Sequence, residues 1–200
     1  ANPDRQPKLN NPDPNYDGVV WTEAVKALGP IAYILKARTT LLRDMGAAMS
    51  PFNAFLIGLG VETLPLRMSK HIENAREVAQ FLSSSSQVDK VHYVDYSNSE
   101  QKELAQKYLS GSGGAVFCFD LKGGRDEGAE FINSLQLFSH LANVGDAKSL
   151  VIHPASTTHR QLSDEELNDA GIGPGTIRLS VGIEDSQDLI ADLRNGLNEV

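Results

Sequence analysis

Two short segments hold the residues whose types and spacing could do chemistry. Residues 176–185 read TIRLSVGIED, and residues 141–159 read LANVGDAKSLVIHPASTTH. In the first, Arg178 stands between Ile177 and Leu179 in an otherwise apolar run of β-formers. Side chains alternate along a strand, so Arg178 faces away from both neighbours. One reading is an exposed arginine on the solvent face of an edge strand, and on the residues alone it carries more weight. The other is a guanidinium whose planar fork grips a carboxylate, as enzymes acting on amino acids require. In the second segment Asn143, Ser149, Ser156, Thr157 and Thr158 gather short donors and acceptors around the apolar run SLVIH.

Other chemistries are poorly served. His71, His92, His140, His153 and His159 are scattered without zinc-ligand spacing, and the one cysteine, Cys118, has no partner. Cys118 lies in AVFCFDL, where it reads as a core residue and not a nucleophile. The glycines at 111, 113 and 114 follow a helical pattern and precede a strand, the reverse of a phosphate-cradling loop, so they read as a turn. Among 200 residues, 18 Lys and Arg stand against 26 Asp and Glu, a formal net charge of -8. That balance argues against broad binding to nucleic acid or an anionic membrane. Apolar stretches are broken well short of membrane-spanning length, and no signal-peptide pattern opens the chain. A single cysteine suits a reducing compartment. The expectation is a soluble cytoplasmic protein.

The elements that must position these segments follow from periodicity. Residues 1–18 are rich in Pro and Asn and predict an irregular extended arm. Residues 21–44 show a helical pattern broken at Gly29-Pro30, and Ser50-Pro51 reads as an N-cap followed by a first helical residue. Gly60 and Pro65 should interrupt the helix that follows. Beyond them Leu64, Met68, Ile72, Ala75, Ala79 and Leu82 recur every three or four residues, which predicts a long amphipathic helix ended by the serines at 83–86. After that the period shortens. Strands are predicted around Val91 and Tyr93 and over 115–121, 149–153 and 176–181. Between them lie helices over 100–109 and 125–137, one opened by the Ser163–Glu166 capping box, and a last helix from Asp185. The fold class is α/β, with an α+β C-terminal domain: a small sheet covered by helices and preceded by a long helix. The expected division is residues 1–60, an arm and the end of a larger domain, and residues 61–200, a C-terminal domain.

Three stretches go beyond pattern. Residues 46–75 (GAAMSPFNAFLIGLGVETLPLRMSKHIENA), NVGDAKSLVIHPASTTH and TIRLSVGIED resemble, in the same order, the Cys/Met-metabolism family of pyridoxal-phosphate enzymes. The NVGDAKSL and HPASTTH versions look most like its O-acetylhomoserine sulfhydrylase branch. The cystathionine-forming and cystathionine-cleaving branches usually carry Ser-Leu-Gly-Gly where this chain has Asn143-Val144-Gly145-Asp146.

The resemblance implies a fold-type I aminotransferase-like subunit that uses pyridoxal 5'-phosphate and makes homocysteine from O-acetylhomoserine and sulfide. It also implies that the Schiff-base lysine, the phosphate-binding glycines, the stacking aromatic and the pyridine-nitrogen Asp lie upstream of Pro12-Asp13-Pro14-Asn15-Tyr16. This chain then corresponds to the C-terminal half, with no Schiff-base residue of its own, and Lys148 is no substitute. The resemblance assigns Arg178 to the substrate's α-carboxylate and Asn143 to helping hold it. Val144 would present backbone to the substrate, and Thr158 would line the site. The implied partners are the N-terminal portion of the same subunit and further copies, as a homotetramer, with a small amino-acid substrate. A γ-lyase or cystathionine-forming activity of the same family, or a non-catalytic binding or assembly role, are the alternatives.

Overall fold

The computed structural model describes residues 4–200, which form two compact units, one up to Gly60 and one from Val61 to Val200. In the first unit α1 (Pro7–Asn10), α2 (Trp21–Ala24) and α3 (Ala32–Lys36) surround a small cluster of Leu9, Trp21, Val25 and Ala32. The segment expected to be irregular is more ordered than its composition suggests. Its Asp13 carboxylate accepts from the Lys36 ammonium, from Trp21 Nε1 (2.8 Å) and from the Asn15 amide (3.1 Å). The Lys36 bond, with Trp21 after it, holds the Asp13 carboxyl down to about 2. A single buried anion with three donors fixes a stretch that has no hydrophobic period to fix it.

After α3 the chain continues as a π-helical stretch, Ala37–Arg43, and α4 (Pro51–Glu62) begins where the sequence predicts. The Ser50 hydroxyl accepts from the Asn53 amide at 3.1 Å, a side-chain cap. α4 runs through Gly60 and breaks only at Thr63. Its residues are apolar on all sides and exposed throughout, Phe52, Phe55 and Leu56 among them.

The second unit opens with α5 (Leu64–Ser83), with Pro65 in its first turn where a missing N–H costs nothing. The buried face of α5 differs from the expected stripe. Ala75, Val78, Ala79 and Leu82 are buried, but so are His71 and Asn74, while Leu64 is exposed. A five-stranded sheet follows: β1 (Val88–His92), β2 (Val116–Leu121), β3 (Ser139–His140), β4 (Leu150–Ile152) and β5 (Thr176–Ser180). Its spatial order is β1-β2-β5-β4-β3, antiparallel except for the β3–β4 pair. The helices between and after the strands are α6 (Ser99–Leu109), α7 (Arg125–Ser134), α8 (Asp164–Asp169) and α9 (Ser186–Asn198). The α/β expectation holds, with a small sheet, a helical cover and a long leading helix.

Alternation sorts the sheet into two faces. Phe117, Phe119, Leu121, Ile177, Leu179 and Val151 point into the core with Ala75, Val78, Leu82, Phe131, Leu189 and Leu193 from the helices. Phe119 and Phe131 meet edge to face, 5.7 Å between ring centres. Asp192 of α9 accepts from the backbone amides of Gln136, Leu137 and Phe138, which ties the segment between α7 and β3 to α9. The opposite face carries Val116, Cys118, Asp120 and Arg178.

Two sequence readings change here. β5 is the central strand, so Arg178 is not on an edge. Cys118 is half-buried on the Arg178 face and is not a core residue, because a period of two turns it away from Phe117 and Phe119.

Candidate functional site

Arg178 is the centre of a cross-strand row. Its Cα pairs with Cys118 on one side and Ile152 on the other, and His92 lies beyond Cys118. Its guanidinium is half-buried and makes one hydrogen bond, from Nη2 to the Asn143 carbonyl at 3.4 Å. No Asp or Glu among the described residues pairs with it. A central-strand arginine whose fork is left nearly unsatisfied has N–H groups ready to donate to a planar anion.

The structure brings the Asn143 carbonyl to Arg178, with Val144 next to it in the chain. They lie on the exposed loop 141–149 that links β3 to β4, and Gly145 at φ 73° lets the loop turn. Asn143 Oδ1 accepts from the Val144 amide at 2.9 Å, which leaves the Nδ2 amide as the free donor of that side chain. The Gly145 amide donates to Ser180 Oγ at 3.2 Å, pinning the loop to the end of β5. Thr158 is not joined to this group by any hydrogen bond among the described residues; its hydroxyl meets His159 Nδ1 at 2.9 Å.

The loop that carries Thr158 has its own support. Arg125 Nε donates to Asp164 at 2.7 Å, and its two terminal nitrogens donate to the carbonyls of Ala155 and Leu162. His153 is buried against Gly128, whose missing side chain makes room for the ring: a Cβ there would lie 2.5 Å from Nε2. Nε2–H donates to the Pro174 carbonyl (2.7 Å), so Nδ1 accepts from Ser156 (2.9 Å). Burial pushes the His153 ring below its usual range. The Cys118 thiol is pushed up, first by burial, against the smaller opposing pull of Arg178, which disfavours the thiolate.

Sequence reading missed a further layer. Ser149, fully buried, donates from Oγ to one Glu184 oxygen (3.0 Å) and from its amide to the other (2.6 Å). The Gly182 amide donates to Ser149 Oγ at 2.7 Å. Asn74 Nδ2 donates to the carbonyls of Gly182 and Glu184, and His71 Nδ1–H donates to that of Val181 at 2.6 Å. The one sequence signal was that His71 and Asn74 sit three residues apart on the face of α5 that also holds Ala75 and Val78.

The arrangement can hold and orient a carboxylate. Lys36 and Lys70 are ion-paired to Asp13 and Glu73, and every other lysine among the described residues is exposed, so none is enclosed as a cofactor-bearing amine. The described residues contain no cluster of three side chains fit for a metal ion and no helix long and apolar enough to cross a membrane.

The family model described as "Cys/Met metabolism PLP-dependent enzyme" matches residues 17–198. O-acetyl-L-homoserine sulfhydrylase 1 of Thermus thermophilus is 48% identical over 193 residues, covering 96% of this chain and 45% of that protein. The homocysteine synthase of Schizosaccharomyces pombe is 46% identical over 196 residues, 98% of this chain and 45% of its own. A crystal structure from Campylobacter jejuni subsp. jejuni, named as an O-acetylhomoserine (thiol)-lyase with N'-pyridoxyl-lysine-5'-monophosphate at its position 205, superposes with a TM-score of 0.81. It is 43% identical, and the match covers 98% of this chain and 46% of that one. The chain thus spans a little under half the length of the relatives it matches. With a match along nearly its whole length, this chain belongs to the Cys/Met-metabolism family of pyridoxal-phosphate-dependent enzymes.

Proposed function

We propose that this chain is the C-terminal, substrate-carboxylate-binding portion of an O-acetylhomoserine sulfhydrylase, which makes homocysteine from O-acetyl-L-homoserine and sulfide. The observation that carries this reading is Arg178: central in the sheet, half-buried, and left with a single 3.4 Å bond to protein. The names of the similar proteins support the substrate class.

Arg178 binds the α-carboxylate through its two forked N–H groups, and the free Asn143 amide donates to the same anion. Val144 sets the backbone wall beside it, and Thr158 lines the approach. Held by its carboxylate, the amino acid presents its α-amine and Cα–H in one fixed orientation, which removes rotational freedom before the chemistry starts. The bound cofactor supplies the electron sink for γ-replacement. This chain's residues orient the substrate, and the proton-moving lysine belongs to the N-terminal portion.

That portion is this chain's first partner in the proposed enzyme, a homotetramer its assembly, and the cytoplasm its compartment. The exposed apolar surface of α4 supports burial against further polypeptide.

The test is a substrate comparison in the holoenzyme. O-acetylhomoserine with sulfide should be turned over faster than cystathionine or methionine alone. A preference for either of the latter would assign a cystathionine-processing or methionine-cleaving activity instead. No turnover of any of the three would leave a binding or assembly role.

A further inference from the structure

Arg178 alone does not define where a carboxylate sits. Its counterpart is the loop 141–149, and that loop is exposed from residue 141 to residue 145. A loop with so little burial has no core to hold it. Its position must come from specific bonds: one from the Gly145 amide to Ser180 Oγ, and a denser set at its C-terminal end.

The bonds at the C-terminal end converge on Glu184. Both carboxylate oxygens are taken by Ser149, one by its amide and one by its hydroxyl, at 2.6 and 3.0 Å. The same hydroxyl accepts from the Gly182 amide, and the Ile183 amide donates to the Ala147 carbonyl at 3.0 Å. The turn 181–184 is held from behind by the fully buried Asn74, which takes the Gly182 and Glu184 carbonyls at 3.0 and 2.7 Å. Gly182 is close enough to the loop that a Cβ would collide with the Ala147 carbonyl. The path from Glu184 to the candidate anion site is therefore short: Glu184 fixes Ser149 and, with Ile183, residue 147, and the loop then carries Asn143 to the Arg178 guanidinium.

We propose that Glu184 is a positioning residue that fixes the 143–149 loop against Arg178, and so sets the affinity for the substrate's α-carboxylate. This rests on the carboxylate-binding reading of Arg178. Glu184 touches no substrate in this role. Its charge matters because an ionised carboxylate accepts two donors from Ser149 at once, whereas an amide offers one acceptor oxygen and a donor that clashes with the second N–H or O–H.

The experiment compares Glu184→Ala, Glu184→Gln and Arg178→Ala in the holoenzyme by two readouts. The first is steady-state kinetics. Glu184→Ala should raise KM for O-acetylhomoserine about tenfold with a much smaller change in kcat, and Glu184→Gln should recover part of that loss. The second is amide hydrogen exchange, where Glu184→Ala should speed exchange of the peptide spanning 143–149 but not of β2 in the core. Arg178→Ala should raise KM without speeding loop exchange. The proposal is overturned if Glu184→Ala leaves loop exchange unchanged, if it lowers kcat as strongly as it raises KM, or if it fails to fold while Glu184→Gln behaves as native. If Arg178→Ala leaves KM unchanged, the carboxylate reading fails by itself, while loop exchange still decides whether Glu184 holds the loop.

Discussion

Removing the Arg178 guanidinium separates binding from folding. Within the protein, Arg178 makes one long bond, to the Asn143 carbonyl at 3.4 Å. Arg178→Ala should therefore cost folding under about 1 kcal/mol, as for a surface polar contact. In the proposed carboxylate-binding role, the same truncation strands the carboxylate of bound substrate. Breaking a hydrogen-bonded charge pair in a desolvated site costs about 2–5 kcal/mol, and the half-burial of Arg178 puts this case at the lower end, about 2–3 kcal/mol. At 1.4 kcal/mol per factor of ten, KM for O-acetylhomoserine rises roughly 30- to 150-fold. Arg178→Lys keeps the charge and loses the fork, so it should fall between, at about tenfold. The assay is steady-state turnover at saturating sulfide, run in parallel on the α-carboxamide analogue of the substrate. Native enzyme should strongly prefer the acid, and Arg178→Ala should lose that preference. An Arg178→Ala enzyme that still discriminates acid from amide as the native one does would refute the assignment, whatever its kcat.

Three further outcomes test the scaffold. The folded state keeps His153 neutral, so as pH falls through its ordinary range, about 6.5, the unfolded chain takes up a proton that the folded one resists; stability then falls by up to about 1.4 kcal/mol per pH unit. Urea melts between about pH 8 and about pH 5.5 should show this slope, and His153→Asn should flatten it. Phe119→Ala removes a fully buried ring from the edge-to-face contact with Phe131 and should lower unfolding free energy by about 3–5 kcal/mol in denaturant melts. Asp192→Ala strips the acceptor from three backbone amides between α7 and β3 and should cost about 3 kcal/mol, with hydrogen exchange speeding first at residues 136–138.

Elements that rest on local signals are legible in the chain. The Ser163–Glu166 capping box opens α8 with both reciprocal bonds formed. Asp185 caps α9 by accepting from the Gln187 amide, and α5 ends among the serines after Leu82. The alternation that turns Arg178 away from Ile177 and Leu179 holds in β5. Where local signals were weak or shared, the sequence misled. Pro-rich composition does not reveal that Asp13, Trp21 and Lys36 converge. The apolar neighbours of Cys118 suggest a core thiol, because burial of a strand as a whole hides which of its faces is covered. The short β3, two residues long, has no period to detect.

By itself the sequence determined the order of the longer helices and strands, several of the caps that delimit them and the residue types at the candidate anion site. These depend on contacts within a few residues, where propensity and period act directly. The tertiary structure decided that β5 is central and that Arg178 has no acidic partner among the described residues. It also decided that His71 and Asn74 are buried under the 181–184 turn, and that Glu184 reaches back 35 positions to Ser149. Strand order and long-range hydrogen bonds depend on how distant segments meet in space, and no single stretch of the chain encodes that meeting.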